Sequence, residues 1–172
     1  MVIETSRLVL REISLLDLDF MAEMLGDPEV MRFWPKPLSR QEAEAEIRKI
    51  QTKYAKDGCS FWLVVEKISR QPIGQAGILI QILNGKGEAE LAYKIHRPFW
   101  RRGYAIEASR ACLTYAFDVL GRKRVVTRIR PENTPSMNLA LKLGMIVEGR
   151  TVLTGFEHII LSIDQASFPQ IA

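Results

Sequence analysis

Three apolar runs separated by short turns occupy residues 61–95, and they limit the possible folds more than any other feature of the chain. They are "FWLVVEK" (Phe61 to Lys67), "PIGQAGILIQI" (Pro72 to Ile82) and "EAELAYKI" (Glu88 to Ile95). Ser69-Arg70-Gln71 separates the first two, and "NGKG" (Asn84 to Gly87), a strong hairpin signal, separates the last two. Strands joined by so few residues must pair antiparallel, because a parallel neighbour needs a crossover of roughly a dozen residues. The middle of the chain is therefore an antiparallel meander.

The flanking segments read as follows. "RLVLREI" (Arg7 to Ile13) is a leucine-rich and β-branched strand. Leu15, Leu18, Met21, Ala22 and Leu25 recur at helical spacing until Asp27-Pro28 breaks the pattern. Ser39 with Glu42 is a capping-box signature for a second helix, which runs to about Lys56 and stops at Asp57-Gly58. Beyond the meander, Ala105, Ala108, Cys112, Tyr115, Ala116 and Val119 trace one helical face, with Gly121 as the expected C-cap. "RVVTRIR" (Arg124 to Arg130) is a strand. Thr134 and Pro135 read as N-cap and first turn of a helix ending at Gly144. "MIVEGRTV" and "FEHIILSI" are the last strands, with Gly155 in the turn between them.

The order β-α-α-β-β-β-α-β-α-β-β implies an α+β fold with a mixed, mostly antiparallel, seven-stranded sheet flanked by helices. The helix between the fourth and fifth predicted strands allows one parallel pair. A doubly wound sheet does not fit, and the lone Gly103 is not a dinucleotide fingerprint.

A chain of 172 residues without a Gly-, Ser- or Pro-rich linker suits a single domain over residues 1–172. The net charge of +4 is compatible with a small polyanion. The basic residues are scattered, in groups such as Arg122-Lys123-Arg124, which disfavours nucleic acid and fits solvated strand ends. Cys59 and Cys112 have no metal-ligand spacing and no scaffold pattern, so no metal is expected and a reducing, cytoplasmic home is. No leader pattern or membrane-length apolar run is visible.

The chemistry centres on "FWRRGYAIEA" (Phe99 to Ala108), where a helix begins directly after Gly103. Its first backbone N–H groups lack partners, and a residue without Cβ lets an anion approach them. The plainer reading is a tight strand-to-helix turn.

Strand, proline, aromatic pair, basic residues and Gly-Tyr-Ala on a helix together resemble the acetyl-CoA loop of the GNAT N-acetyltransferases. That loop is written Gln/Arg-x-x-Gly-x-Gly/Ala. Gly103 and Ala105 match it, and Trp100 stands at the Gln/Arg position, as in the RimJ/RimL branch that acetylates ribosomal-protein N-termini. "ETSRLVLRE", "GDPEVMRFW", "PIGQAGI" and "PENTPSMNLALKLGM" resemble further segments of that branch, in the same order, over nearly the whole chain.

The resemblance implies a sheet splayed between its fourth and fifth strands, with acetyl-CoA as acetyl-donor cosubstrate and an amine acceptor, either a small molecule or a protein N-terminus. It implies that the backbone of Tyr93, Lys94 and Ile95 pairs with the pantetheine arm. The backbone of Arg101, Arg102, Gly103, Tyr104, Ala105 and Ile106 would hold the pyrophosphate, and Asn133 and Ser136 would lie at the pantetheine end. Direct attack by the amine requires a proton acceptor, for which Glu90 is the candidate, with Glu88 or a water chain as alternatives. Many members carry a thiolate-protonating tyrosine seven residues after the asparagine, but here that position is Ala140, so Ser136 is the candidate acid. Plainer roles remain for each: a solvated strand glutamate, a turn asparagine, a serine that only supports the helix cap. His96 and His158 read as structural or surface residues, and Trp34 as an acceptor-pocket candidate. A homodimer through edge strands is compatible with the fold class. The competing function is an acyl-CoA-binding sensor or partner module without catalysis.

Overall fold

The computed structural model describes residues 2–83 and 85–169. In chain order the elements are β1 (Val2–Glu4), β2 (Leu8–Glu12), α1 (Leu18–Gly26), α2 (Arg40–Asp57), β3 (Phe61–Glu66), β4 (Pro72–Leu83) and β5 (Lys86–Ile95). They continue with α3 (Tyr104–Asp118), β6 (Arg124–Ile129), α4 (Thr134–Lys142), β7 (Ile146–Leu153) and β8 (Phe156–Asp164). All strands join one sheet in the order β1-β2-β3-β4-β5-β6-β8-β7, antiparallel except for β5 with β6. The fold is thus the expected mixed α+β architecture, with eight strands rather than seven. The additional strand, β1, pairs Val2, Ile3 and Glu4 with Arg11, Leu10 and Val9. Three residues are too few to display an alternating pattern, so its sequence carries no strand signal.

Local chemistry fixes most boundaries. The Ser39 hydroxyl accepts from the Glu42 amide while the Glu42 carboxylate accepts from the Ser39 amide at 2.8 Å, and Gly58 (φ 71°) ends the helix left-handed. Two caps differ from expectation. The N-cap of α4 is Asn133, whose Oδ1 accepts from the Ser136 amide at 3.2 Å, and not Thr134. An amide oxygen outcompetes a hydroxyl here because Asn133 already sits in the turn before the helix. Helix α3 ends at Asp118 with Val119 as C-cap, and Gly121 (φ 63°) lies beyond it in the turn where the Arg122 amide reaches the Ala116 carbonyl at 2.9 Å. The turn expected at Asn84 to Gly87 includes Asn84, which lies outside the described residues.

Two apolar layers clasp the sheet. On one face α3 and α4 bury against it, with Tyr115 edge-on to the fully buried Trp62 at 5.0 Å between ring centroids. On the other, Met21 and Met24 of α1 and Ile47 and Ile50 of α2 cover Phe61, Leu63 and Leu79. Each such side chain contributes roughly 1.5–3 kcal/mol by burial. This second layer stops at β5. Among the described residues, the small cluster of Leu83, Val126 and Ile160 continues on that face.

The site lies where the sheet fails to close. β5 and β6 register at the single pair Glu90↔Val126, while β5 stays paired with β4 as far as Ile95↔Gly74. Past Glu90 the two strands diverge, leaving the β6-facing edge of Leu91 to Ile95 without a strand partner. No helix among the described residues is long and apolar enough to cross a membrane.

Candidate active site

The divergence opens a cavity of about 270 Å³, whose lining includes Trp34, Glu90, Tyr93, Arg130, Asn133 and Ser136. Strand alternation explains the set. Glu90 and Ala92 face the α1–α2 side of β5, and Leu91 and Tyr93 face the α3–α4 side. Asn133 and Ser136 arrive from the start of α4, directly after β6. Because Asn133 spends its side-chain oxygen on the Ser136 amide, its NH₂ donors stay available to a ligand.

Glu90 stands at the apex and is not an isolated carboxylate. The Arg128 guanidinium, on β6, donates to both of its oxygens, Nε to Oε1 at 2.9 Å and Nη2 to Oε2 at 2.5 Å, with both side chains 10% exposed. The hydrogen bond to Glu90 holds the Arg128 pKa above its ordinary value against the opposing effect of burial. A forked, nearly dry pair of this kind places the carboxylate rigidly. Glu88, the alternative base, lies outside this cavity. It borders a separate depression beside Arg124, Glu148 and Arg150, with its Oε1 3.7 Å from Arg124 Nε.

The Tyr93 hydroxyl is buried in the cavity wall and makes no hydrogen bond, although Ser136 is near enough to lower its pKa somewhat. Burial outweighs that neighbour and pushes the phenol up to about 12. Lys94 points the other way, beneath the cavity. Its ammonium lies 3.5 Å from the centroid of the Trp34 ring and 4.8 Å from that of Phe61, with no ion-pair or hydrogen-bond partner among the described residues. Burial lowers its pKa to about 7, with Glu46 opposing weakly.

The segment 101–106 lies beside the cavity rather than in its lining. Arg101 (φ 61°) and Gly103 (φ 79°) are both left-handed, and α3 starts at Tyr104. The first amide after Trp100 with a backbone partner is that of Glu107, which reaches the Gly103 carbonyl, so among the described residues the N–H groups of 101–106 have no backbone acceptor. An ideal Cβ on Gly103 would meet only the flexible Arg7 Nη2, at 3.3 Å.

The loop is anchored from the far edge of the sheet. Glu107 Oε1 accepts from the Thr5 and Ser6 hydroxyls and the Arg7 amide, and Oε2 from Arg7 Nε at 2.7 Å. Arg7 Nη1 donates to the Arg102 carbonyl at 2.9 Å, and the guanidinium lies over the Tyr104 ring. At the loop's other end, Trp100 Nε1 donates to the Ile95 carbonyl at 2.6 Å, tying it to the end of β5.

An open-edged strand, a cavity beside it, and a helix start with unpaired N–H groups are arranged as in a known family of transferases. Residues 7–146 match the model of the acetyltransferase (GNAT) domain. The chain belongs to the GNAT acetyltransferases. Among its GNAT relatives, the uncharacterized N-acetyltransferase p20 of Bacillus licheniformis is 31% identical over 84% of this chain and 82% of its own. The spermidine N(1)-acetyltransferase of Escherichia coli K12 is 27% identical over 81% of this chain and 73% of its own. A Vibrio cholerae structure described as a candidate ribosomal-protein-serine acetyltransferase superposes with a TM-score of 0.80, at 26% identity over 95% of this chain and 97% of that one. This likeness agrees with the RimJ/RimL-like branch.

The GNAT fold thus brings Glu90, Tyr93, Asn133 and Ser136 into one cavity, leaves the side chain of Lys94 beneath it, and sets residues 101–106 at its flank. Sequence reading missed Arg128 and Arg130, and assigned Tyr93 and Lys94 only their backbones. Arg128 and Arg130 stand two residues apart in "RVVTRIR", which places them on one strand face, but nothing local says that this face meets Glu90.

Proposed function

We propose that this GNAT acetyltransferase moves an acetyl group from acetyl-CoA directly onto a primary amine, with residues 1–172 acting as one catalytic unit. The observation that carries the reading is the unpaired edge of β5 from Leu91 to Ile95, which opens into a cavity and is flanked by the free N–H groups of 101–106. The edge offers backbone partners to an amide-bearing arm, and the helix start offers them to a pyrophosphate. Acetyl-CoA, when bound, supplies the activated acyl carbon.

The chain's own residues divide the remaining tasks. A backbone N–H of the open β5 edge polarises the acyl oxygen, a contribution of about 3 kcal/mol in comparable sites. Asn133 orients the arm through its free NH₂. Glu90, held in place by Arg128, accepts a hydrogen bond from the incoming amine or from the water that takes its proton. With both oxygens already engaged by Arg128, Glu90 positions the amine or a water, and the proton leaves through water. Ser136 and the unpartnered Tyr93 hydroxyl donate to the sulfur of the leaving thiolate. A phenol near 12 does not surrender its proton to a thiolate whose ordinary value is about 8.5, so Tyr93 stabilises the charge by a hydrogen bond alone.

The test is calorimetric titration with acetyl-CoA, followed by thiol release in the presence of a panel of amines and N-terminal peptides. Binding with amine-dependent thiol release is expected. Tight binding without turnover on any amine would instead identify a sensor module, and absence of binding would refute the reading altogether.

A further inference from the structure

We infer that the acceptor is an amine that also carries a carboxylate, and not a polyamine. The inference rests on the transfer reading above and concerns what the same cavity selects.

A site for a polyamine needs carboxylates to face several ammonium groups. Here the lining contains one, Glu90, and Arg128 already neutralises it with a forked pair. What the cavity holds in excess is donors. Arg130 extends β6 on the same face as Arg128 and lines the cavity. It has no carboxylate partner among the described residues, its guanidinium stacks on the Phe156 ring at 3.6 Å, and its buried Nε has no acceptor. Arg124 and Arg128, on the same strand face, are both paired with glutamates.

A second cluster of unsatisfied polar groups lies outside the lining, beneath the cavity and behind Trp34. Lys94 and Gln75 are cross-strand neighbours on β5 and β4, 8% and 0% exposed. The ammonium lacks any partner except aromatic faces, and both side-chain polar atoms of Gln75 lack hydrogen bonds. Trp34, which lines the cavity, closes over Lys94. Buried donors without acceptors are costly and uncommon. Arg130 brings such a donor into the lining itself, and with the lining carboxylate Glu90 already taken by Arg128, the acceptor oxygens for it come from the ligand. A carboxylate supplies them and suits the fork of Arg130. At about 270 Å³ the cavity fits a small amino-carboxylate rather than an extended chain.

The experiment measures kcat/KM by thiol release from acetyl-CoA for matched acceptors: an α-amino acid, its amide and the amine left when the carboxylate is removed, with spermidine alongside. A charge-assisted hydrogen bond of ordinary strength predicts that the carboxylate-bearing member is preferred roughly tenfold to a hundredfold. R130Q should shrink that ratio toward one while leaving acetyl-CoA affinity intact. Arg130 makes no ion pair whose loss would disturb folding, and thermal unfolding of R130Q checks this. Equal turnover of the matched amines, preference for spermidine, or an unchanged ratio in R130Q would overturn the inference and leave the transfer reading standing. Acetyl-CoA binding without thiol release from any acceptor would overturn both.

Discussion

Replacing Lys94 with methionine should make the protein more stable, and the gain should depend on pH in a defined direction. The amine is 8% exposed, faces Trp34 and Phe61, and has only the distant Glu46 as a favourable charge. Its pKa falls from the ordinary 10.5 to about 7 in the folded chain. The unfolded chain therefore binds this proton more tightly than the folded one, and stability rises with pH between about 7 and 10.5. At about 1.4 kcal/mol per tenfold change in proton affinity, the buried amine costs the folded state roughly 4 kcal/mol at pH 7. Repacking methionine into the space forfeits part of that gain, up to about 1.5 kcal/mol. K94M, similar in length and able to fill the same space, should raise the free energy of unfolding by about 2 kcal/mol at pH 7. The difference should shrink as the pH approaches 10. Urea unfolding of wild type and variant at both pH values measures it, and the comparison cancels every other titrating group. A wild type at least as stable as K94M at pH 7, or a difference independent of pH, would show that Lys94 is not held desolvated and would refute the reasoning.

Three further outcomes follow from the cavity. E90Q should lose about 3 kcal/mol of stability because it strands Arg128, and E90Q/R128M should recover most of it; if E90Q still turns over like wild type, Glu90 has no part in proton transfer. Y93F removes a hydroxyl without a partner, so unfolding should change by less than about 1 kcal/mol while kcat falls roughly tenfold at unchanged acetyl-CoA affinity. G103V forces a β-branched residue to φ 79° at the helix start, which should cost about 2 kcal/mol in urea unfolding and weaken acetyl-CoA at least tenfold by calorimetry. A G103V protein that binds acetyl-CoA normally would exclude the 101–106 loop as the pyrophosphate site.

Much of the fold was legible because its signals are local. Ser39, Glu42 and Gly58 specify α2 within one turn at each end, and short turns force β3, β4 and β5 into a meander. The cap of α4 was misplaced by a single residue because Asn133 and Thr134 are both good caps, and only the turn geometry decides between them. In the candidate site, local signals marked the helix start after Gly103 and the turn at Asn133. The site was illegible where chemistry depends on register between strands distant in sequence. Whether Arg128 meets Glu90 depends on Val126 lying opposite Glu90, which no local pattern encodes. That Thr5, Ser6 and Arg7 grip Glu107 likewise follows only once β2 is laid beside β3 and α3 crosses beneath.

The lone register pair between β5 and β6 also has a mechanical meaning. The sheet is two panels, β1 to β5 and β6 to β8, sharing a hinge at Glu90 and Val126 and braced from below by α3. Few ladder hydrogen bonds therefore tie the two panels together beside the cleft. A donor arm laid along the free edge of β5 would act as a missing strand between the panels. Amide exchange at Leu91 to Ile95 should then slow on cofactor binding far more than exchange at β3, because the ligand supplies what the chain leaves unpaired.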